Sequence, residues 1–417
     1  MAGDAERDEL MLRLHDRRCA IALLEADLDA ALDGIAVHRQ LASNVRSMQV
    51  FEERFPILAA RVMLGARRRD EAEHWTRLAQ RIEAPDIVSS VTVPTLRAWQ
   101  EWLFGRLDLA TKLIDAAVGW MDEHDIGAHH HAFDTLITAG WCRLGAGDLD
   151  DAARLAARAR GDADTLGCGW NHLQAGHLSA RLALVAGDPV GALRMVEDMR
   201  SRAVFDTCRP YADRILALEV EALAASGALA DPASTIDALG PGPPSQLLRA
   251  RFERPGRGDL EALLGDRATW PVADRLQGEV ILAARGDRSS PSSELLALVD
   301  ECAETGWVLP FLGFGTQTEH LLLSVQLEKR HPKLERALAH PASAVRACSP
   351  SGNGVRLTNR ELTLLQLLPT HLSYGEMGER LYLSVNTVKS NLKMLYRKLG
   401  ASTRRQAVEA GQRSGLL

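Results

Sequence analysis

The chain has 417 residues, of which 46% are apolar and 25% are charged, and its formal net charge is −6. This charge excludes a uniformly basic nucleic-acid binder, and the apolar share excludes a disordered chain. The length exceeds what one compact core holds, so the sequence predicts two or more domains or an extended repeat array.

Several classes of protein lack support in the residue pattern. The opening residues 1–10 are acidic and polar, unlike a secretory signal, and no run of about 18 apolar residues predicts a membrane span. The adjacent histidines His129–His131 would point in three directions on a helix, which disfavours a metal site. We therefore expect a cytoplasmic protein without a metal or cofactor. Its cysteines form no CxxC pair and fit a reducing compartment; they are Cys19, Cys142, Cys168, Cys208, Cys302 and Cys348.

Residues 1–346 are predicted to be helical throughout. Alternating β-branched runs, which a parallel α/β domain would need, are missing from this part of the sequence. The stretch 9–35 predicts one helix with a single apolar face, because leucines and an isoleucine recur at steps of three, four and seven. The residues of this face are Leu10, Leu14, Ile21, Leu24, Leu28 and Leu32.

A repeat is present within this helical part. A Gly-x-Leu/Pro-x-x-Ala pattern begins at Gly105, Gly147 and Gly187, with glycines 42 and 40 residues apart, and a weaker copy begins at Gly227. An earlier copy, which lacks its glycine, ends at Asp70-Glu71-Ala72. The pattern predicts a turn between two antiparallel helices: glycine in the left-handed conformation ends the first, aspartate caps the second, and the small alanine permits close packing.

The best-defined copy, Trp141-x-x-Leu144-Gly145 followed by Gly147, resembles tetratricopeptide repeats, although the period is longer. This resemblance implies a superhelix of stacked hairpins whose concave face binds a ligand or partner. The Pro- and Gly-rich stretch 241–258 interrupts the rhythm and is predicted to be a long loop or a joint in the stack.

The composition changes after a short polar linker at residues 347–355. Residues 355–417 contain ten basic and four acidic side chains, a charge of +6, which leaves −12 for residues 1–354. A short basic domain over residues 356–417 therefore follows a long acidic one over residues 1–346.

Helix caps divide this basic segment. Thr358-x-x-Glu361, Ser373-x-x-Glu376 and Thr403-x-x-Gln406 have the spacing of capping boxes, and Ser384 can begin a further helix. The tight connection near Ser384 is typical of a helix-turn-helix, whose second helix enters the major groove. The predicted helices cover residues 359–369, 374–381, 385–399 and 404–413.

The helix 385–399 has two different faces. One is an apolar stripe suited to a core and the other is polar and basic without any acidic residue, as entry into a DNA groove requires. The apolar residues are Val385, Val388, Leu392, Leu395 and Leu399, and the opposite face carries Asn386, Lys389, Ser390, Lys393 and Arg397.

These motifs together resemble the LuxR-type, or GerE-type, DNA-binding domain. The matching runs, in order, are Leu357-Thr-x-Arg-Glu361, Leu381-x-x-Ser384-x-x-Thr387-Val-Lys389, Arg397-Lys-Leu-Gly400 and Arg404-x-x-Ala407. Met377-Gly378 and Asn391 depart from the usual pattern of the family. The segment 298–312 is similar to the last helical repeat of the large maltose-activator-like LuxR regulators. No Gly-Lys dipeptide occurs, so we expect no phosphate-binding loop and none of their ATPase module.

The resemblance implies roles for individual residues. Lys389, Ser390 and Lys393 would face base edges, whereas Asn386, Thr387, Tyr396, Arg397 and Lys398 would lie near phosphates. Lys398 has the alternative of pairing with the helix end, and Arg404 either contacts phosphate or bridges to Glu361 as a scaffold. The family dimerises through the helix that here contains Ala407, Val408 and Gly411.

The sequence thus predicts an all-α, non-enzymatic bacterial transcription regulator. It would bind double-stranded promoter DNA as a homodimer, with residues 385–399 in the major groove, while the helical repeats sense a small-molecule or protein effector. RNA polymerase is a further candidate partner. The alternative is a scaffold that recruits RNA polymerase or another regulator and has weak DNA specificity of its own.

Overall fold

The computed structural model describes most of the first 312 residues and part of the remainder. All regular structure in these residues is helical, which confirms the predicted all-α class. The chain divides into two compact units, Met1–Arg346 and Ala347–Leu417. The described residues are 2–25, 27–42, 55–82, 87–202, 205, 209–229, 231–253, 255–284, 292–312, 325, 330–338, 364–365, 367–368, 372–381, 388, 392, 395–396, 401 and 403–413.

The first unit, in the residues that the structure describes, is a succession of helices. Its first half contains α1 (Ala2–Leu24), α2 (Leu28–Ala42), α3 (Phe55–Gly65), α4 (Arg69–Ala79), α5 (Val93–Phe104), α6 (Leu107–Glu123), α7 (His130–Gly145) and α8 (Leu149–Leu166). Its second half contains α9 (Gly169–Val185), α10 (Pro189–Arg200), α11 (Arg209–Ser226), α12 (Pro232–Asp237), α13 (Pro243–Phe252), α14 (Arg257–Leu263), α15 (Val272–Ala283), α16 (Ser293–Thr305) and α17 (Pro332–Leu338).

Consecutive helices pack as hairpins, and the hairpins stack. Helices α1 to α10 pair in order, and the first helix of each pair also contacts the first helix of the next pair. Helices α7 and α9 are buried on almost every side, whereas α6 and α8 each bury one stripe with helical spacing. Helices α7 and α9 therefore lie in an inner layer of the stack, and α6 and α8 lie in an outer layer.

The turns between paired helices have the conformation that the repeat predicts. Gly147, Gly187 and Gly227 adopt φ values of +78°, +82° and +78°, in the left-handed region where glycine carries no steric penalty. The backbone N–H of Gly147 donates to the carbonyl of Leu144 at 3.1 Å, and the other two copies repeat this hydrogen bond.

The caps and the small residue of the pattern are also confirmed. Asp148 Oδ1 accepts from the third N–H of α8 at 3.3 Å, and Asp188 Oδ1 does the same for α10 at 2.8 Å. The alanines at the matching positions, Ala72, Ala110, Ala152 and Ala192, are completely buried, as close helix packing requires.

Two turns depart from the pattern. Gly105 has φ −127° and so lacks the left-handed conformation that its sequence predicts. At the degenerate copy, Arg67 occupies the place of the glycine and adopts φ +56°, with its N–H donating to the carbonyl of Leu64 at 3.1 Å. A side chain in this conformation costs about 1–2 kcal/mol.

The predicted single helix over residues 9–35 is wrong. Helix α1 ends at Leu24 and α2 begins at Leu28, and Asp27 Oδ1 accepts from the N–H of Ala30 at 3.0 Å in the first turn of α2. Helix α2 then packs against the side of α1 that contains Leu12 and Cys19. The expected core residues on α1 are consequently solvent-exposed; Leu10, Leu14 and Ile21 have exposures of 60%, 48% and 53%.

The stretch 241–258, predicted to be a long loop or a joint in the stack, is largely helical, so the prediction of a long loop is wrong. Pro243 and Pro244 occupy the first turn of α13, where proline loses no helical hydrogen bond, so here they begin a helix. Residues from Arg257 onward form α14.

The segment after α16 returns to the middle of the stack. Helix α16 is capped by Gly306, with φ +85°, and the next residue, Trp307, is completely buried. The N–H of Val308 donates to the carbonyl of Gly145 at 2.8 Å, and a Cβ on Gly145 would lie 3.2 Å from the Trp307 ring. The missing side chain of Gly145 thus permits the C-terminal part of this unit to pack on α7.

None of the helices described is both long enough and apolar enough to span a membrane.

Candidate nucleic-acid interface and a buried cavity

Two helices of the second unit begin and end where the sequence predicts. These are α18 (Tyr374–Leu381) and α19 (Arg404–Arg413). Helical conformation is also found at single positions in the other two predicted helices, namely 364, 365, 367, 388, 392, 395 and 396.

The predicted capping box of α18 is confirmed in both directions. The N–H of Ser373 donates to Glu376 Oε2 at 2.7 Å, and the N–H of Glu376 donates to Ser373 Oγ at 3.3 Å. The backbone hydrogen bond from Ser373 also lowers the pKa of the Glu376 carboxyl. At α19, the N–H of Gln406 donates to Thr403 Oγ1 at 3.2 Å. The box at Thr358 and Glu361 lies outside the described residues.

The apolar stripe of the predicted recognition helix forms the core of this unit. Val388, Leu392 and Leu395 are buried, as predicted, and Val385 and Leu399 lie outside the described residues. Met377, which departs from the usual family pattern, is also completely buried and fills the same core. The remaining buried members of the cluster are Leu364, Leu365, Leu368 and Ala407.

Arg404 connects α19 to the chain that precedes α18. Its Nε donates to the carbonyl of Leu368 and its Nη1 to the carbonyl of Leu372, both at 2.9 Å. A planar guanidinium with several donors can hold two carbonyl groups at once. These contacts favour the scaffold role of Arg404, although its partners are carbonyl groups; Glu361 lies outside the described residues.

Tyr396, Ala407 and Val408 lie in or beside this core. Burial, followed by the neighbouring Tyr374, raises the pKa of Tyr396 to about 12, so the phenol is neutral at physiological pH. Ala407 is completely buried in its own unit, Val408 is partly buried, and Gly411 lies in α19. The predicted DNA contacts outside the described residues are Asn386, Thr387, Lys389, Ser390, Lys393, Arg397 and Lys398.

The inner layer of the first unit encloses a cavity with aromatic walls. It has a volume of about 30 Å³ and lies among α3, α5, α7, α9 and α11. The rings of Trp102 and Trp141 are 5.4 Å apart between centroids, Trp141 and His177 are 5.0 Å apart, and His177 and Tyr211 are 5.3 Å apart. The sequence gives no local signal for this cavity, because its walls come from helices far apart in the chain.

Charged groups surround this cavity. Burial and then Arg181 lower the pKa of His177 well below its ordinary value, so that imidazole is neutral. Arg67 lines the cavity from the turn between α3 and α4 and lies 3.7 Å from Asp274. Closer ion pairs nearby are Arg61–Asp134 at 2.6 Å, Arg214–Asp274 at 2.8 Å and Arg181–Glu221 at 2.7 Å.

The histidine run at the start of α7 has a structural role. His129 caps the helix, with its Nδ1 accepting from the N–H of His131 at 3.2 Å. Within the described part of the chain, no three His, Cys, Asp or Glu side chains converge as metal ligands would.

Comparison with known proteins identifies the second unit. Residues 355–410 match the GerE family, described as bacterial regulatory proteins of the luxR family. A comparison of the chain with curated proteins found no match. The matched segment contains the capping box of α18, the buried stripe of the predicted recognition helix and the Arg404 contacts. Residues 355–410 are therefore a GerE-type helix-turn-helix domain of the luxR family, and the chain contains a DNA-binding domain of the kind found in transcription regulators.

Proposed function

We propose that the protein is a sequence-specific transcription regulator that reads promoter DNA with the helix 385–399 and responds to an effector through its helical repeats. The match of residues 355–410 to the luxR family is the observation that supports this most strongly. The burial of Val388, Leu392 and Leu395 adds support, because an anchored apolar stripe leaves the other face of a helix available for a groove.

The proposed contacts divide into two classes. Lys389, Ser390 and Lys393 read base edges, and Asn386, Thr387, Arg397 and Lys398 position the helix on phosphates. Tyr396, whose hydroxyl is buried, supports the helix from the core and does not contact phosphate. Arg404 holds the domain together through the carbonyl groups of Leu368 and Leu372.

The proposed regulator binds DNA as a homodimer through α19. Ala407 is completely buried in its own unit, so Val408 and Gly411 would supply the contact surface, with Ala407 supporting it from behind. A two-fold dimer predicts an operator with two related half-sites.

A salt titration of DNA binding tests the proposal. Genome-wide footprinting supplies the operator, and fluorescence anisotropy then measures full-length protein on the operator and on a random duplex. We expect log K to fall linearly with log salt concentration, as phosphate contacts require, and the operator to bind much more tightly than the random duplex.

The variant Lys389→Ala tests the base contact. We expect it to weaken operator binding by about 1–3 kcal/mol and to reduce the preference for operator over random DNA. Lys112→Ala, which alters an exposed lysine on α6 in the first unit, is the control and should leave both quantities unchanged. Equal affinity of wild-type protein for operator and random duplex would favour the alternative, a recruiting scaffold with weak DNA specificity.

A further inference from the structure

We propose that the cavity inside the hairpin stack is the effector site and binds a compact organic monocarboxylate, with Arg67 pairing with its carboxylate group. The effector role rests on the proposed function, whereas the binding of the carboxylate to the cavity does not depend on DNA. Four features of the cavity support it.

The first feature is an unbalanced positive charge. Each carboxylate described near the cavity lies closer to another guanidinium group than to that of Arg67. Arg214 lies 2.8 Å from an oxygen of Asp274, whereas Arg67 lies 3.7 Å from it. Asp134, the carboxylate among the described lining residues, pairs with Arg61 at 2.6 Å and so does not neutralise Arg67. Burial and then the charge of Arg214 lower the pKa of Arg67 to about 9, which indicates an under-compensated cation. One monoanion would complete the balance.

The second feature is the backbone of Arg67. The other left-handed turns of the repeat use glycine at this place, at Gly147, Gly187 and Gly227, whereas Arg67 adopts φ +56°. An arginine that is kept in a costly conformation, with its side chain lining a cavity, indicates a use for that side chain. Glycine at this place would remove the strain together with the charge.

The third feature is a pair of unsatisfied polar groups. Trp102 Nε1 and Gln174 Oε1 both belong to buried lining residues and have no hydrogen-bond partner among the described residues. An indole N–H can only donate, so it requires an acceptor such as a carboxylate oxygen. The Gln174 amide can turn to present either its oxygen or its NH₂ group.

The fourth feature is size and wall chemistry. The centres of water-sized molecules can occupy about 30 Å³ of the cavity, which is room for about two waters. A ligand that fits this space therefore has few heavy atoms. The tryptophan walls, Trp99, Trp102 and Trp141, suit a short apolar body. A phosphate dianion has more charge than Arg67 balances, and a quaternary ammonium ion, which aromatic rings attract, would be repelled by Arg67.

Tryptophan fluorescence of the full-length protein provides the test, since three tryptophans line the cavity. Sodium acetate and sodium propionate are titrated at constant ionic strength, with sodium chloride, inorganic phosphate and choline as comparison ligands. We expect a saturable change with acetate or propionate, accompanied by a rise in Tm, and neither effect with the comparison ligands.

Arg67→Gly is the informative variant because glycine accepts the turn conformation. We expect it to fold, as circular dichroism would show, and to bind the carboxylate at least about tenfold more weakly, since it loses a charge-assisted hydrogen bond. Trp102→Phe keeps the ring without the N–H and should weaken binding by about threefold or more. Arg68→Ala, which changes the exposed neighbour, is the control and should bind as wild type does.

Three results would overturn the proposal. These are the absence of saturable carboxylate binding to wild-type protein, equal binding by Arg67→Gly, and preferential binding of phosphate or choline. If Arg67→Gly does not fold, unchanged binding by Trp102→Phe overturns it instead. Fluorescence anisotropy on operator DNA, with and without propionate, then separates the two proposals. Carboxylate binding that leaves the affinity for the operator unchanged contradicts the effector role alone. Equal affinity of the protein for operator and random duplex contradicts the proposed function alone.

Discussion

Arg404 shows how one side chain can hold the end of a domain in place. It is a basic residue of a DNA-binding unit, and the family pattern left both a phosphate contact and a scaffold role open. Its guanidinium donates to the carbonyl groups of Leu368 and Leu372, which lie more than 30 positions earlier in the chain. These hydrogen bonds are partly buried, so Arg404 supplies donors to carbonyl groups that would otherwise be left unpaired.

Arg404→Ala is therefore expected to destabilise the second unit by about 1–3 kcal/mol, because it leaves partly buried carbonyl groups without donors. Denaturant unfolding followed by circular dichroism measures this change. Arg404→Lys should not restore stability, because an ammonium group lacks the planar fork. Arg405→Ala, at an exposed position, is the control. Normal stability of Arg404→Ala, combined with a salt slope of DNA binding reduced by about one, would show a phosphate contact instead.

At the scale of single elements, the hairpin turn is the unit from which the first domain is built. The pattern at Gly147 and Gly187 predicts both the left-handed residue and the aspartate cap, because the hydrogen bonds of the glycine and of the cap each join residues three positions apart. Gly105 and Arg67 show the limit of that reasoning. One turn has glycine without the left-handed conformation, and the other has that conformation without glycine.

A matched pair of glycine substitutions tests this account of the turn. Gly147→Ala should lower the free energy of unfolding by about 1–2 kcal/mol, because alanine is strained at φ +78°. Gly161→Ala, on the exposed side of α8 with free space around it, should raise it by about 0.5–1 kcal/mol through helix propensity. Urea unfolding of both variants gives the comparison, and a shift of the same sign in both would contradict the argument.

At the scale of the whole first unit, largely buried ion pairs join distant helices. Arg214 and Asp274 connect α11 to α15, and Arg181 and Glu221 connect α9 to α11. Burial alone would raise the pKa values of Asp274 and Glu221, but the neighbouring guanidinium groups outweigh burial and lower both. Each carboxylate therefore stabilises the folded protein in its ionised form.

The stability that Asp274 contributes should depend on pH in one direction. Because its folded pKa is lowered, the contribution is present above the unfolded pKa of about 3.9 and is lost as pH falls through the folded pKa. Asp274→Asn should cost about 3 kcal/mol at pH 7, where it leaves Arg214 without its close partner. Thermal unfolding at pH 7 and at pH 3 should show this difference shrink in acid. A difference that stays constant between the two pH values would contradict the assignment.

Local patterns in the sequence were sufficient for the helical class, the turns at Gly147 and Gly187, the capping box of α18 and the bounds of residues 374–381 and 404–413. Each of these depends on residues within one or two helical turns, so composition and spacing determine them.

Tertiary structure decided everything that joins distant parts of the chain. It determined which side of α1 is buried, the packing of Trp307 on Gly145, the partners of Arg404, and the convergence of Arg67 with Trp102 and Gln174 on one cavity. These contacts connect residues tens to more than a hundred positions apart, and no local pattern specifies which of several apolar or charged faces will meet. The sequence therefore determined the helical class and the GerE-type motifs of residues 355–410, and only the fold brought together the residues of the cavity for which we propose a carboxylate ligand.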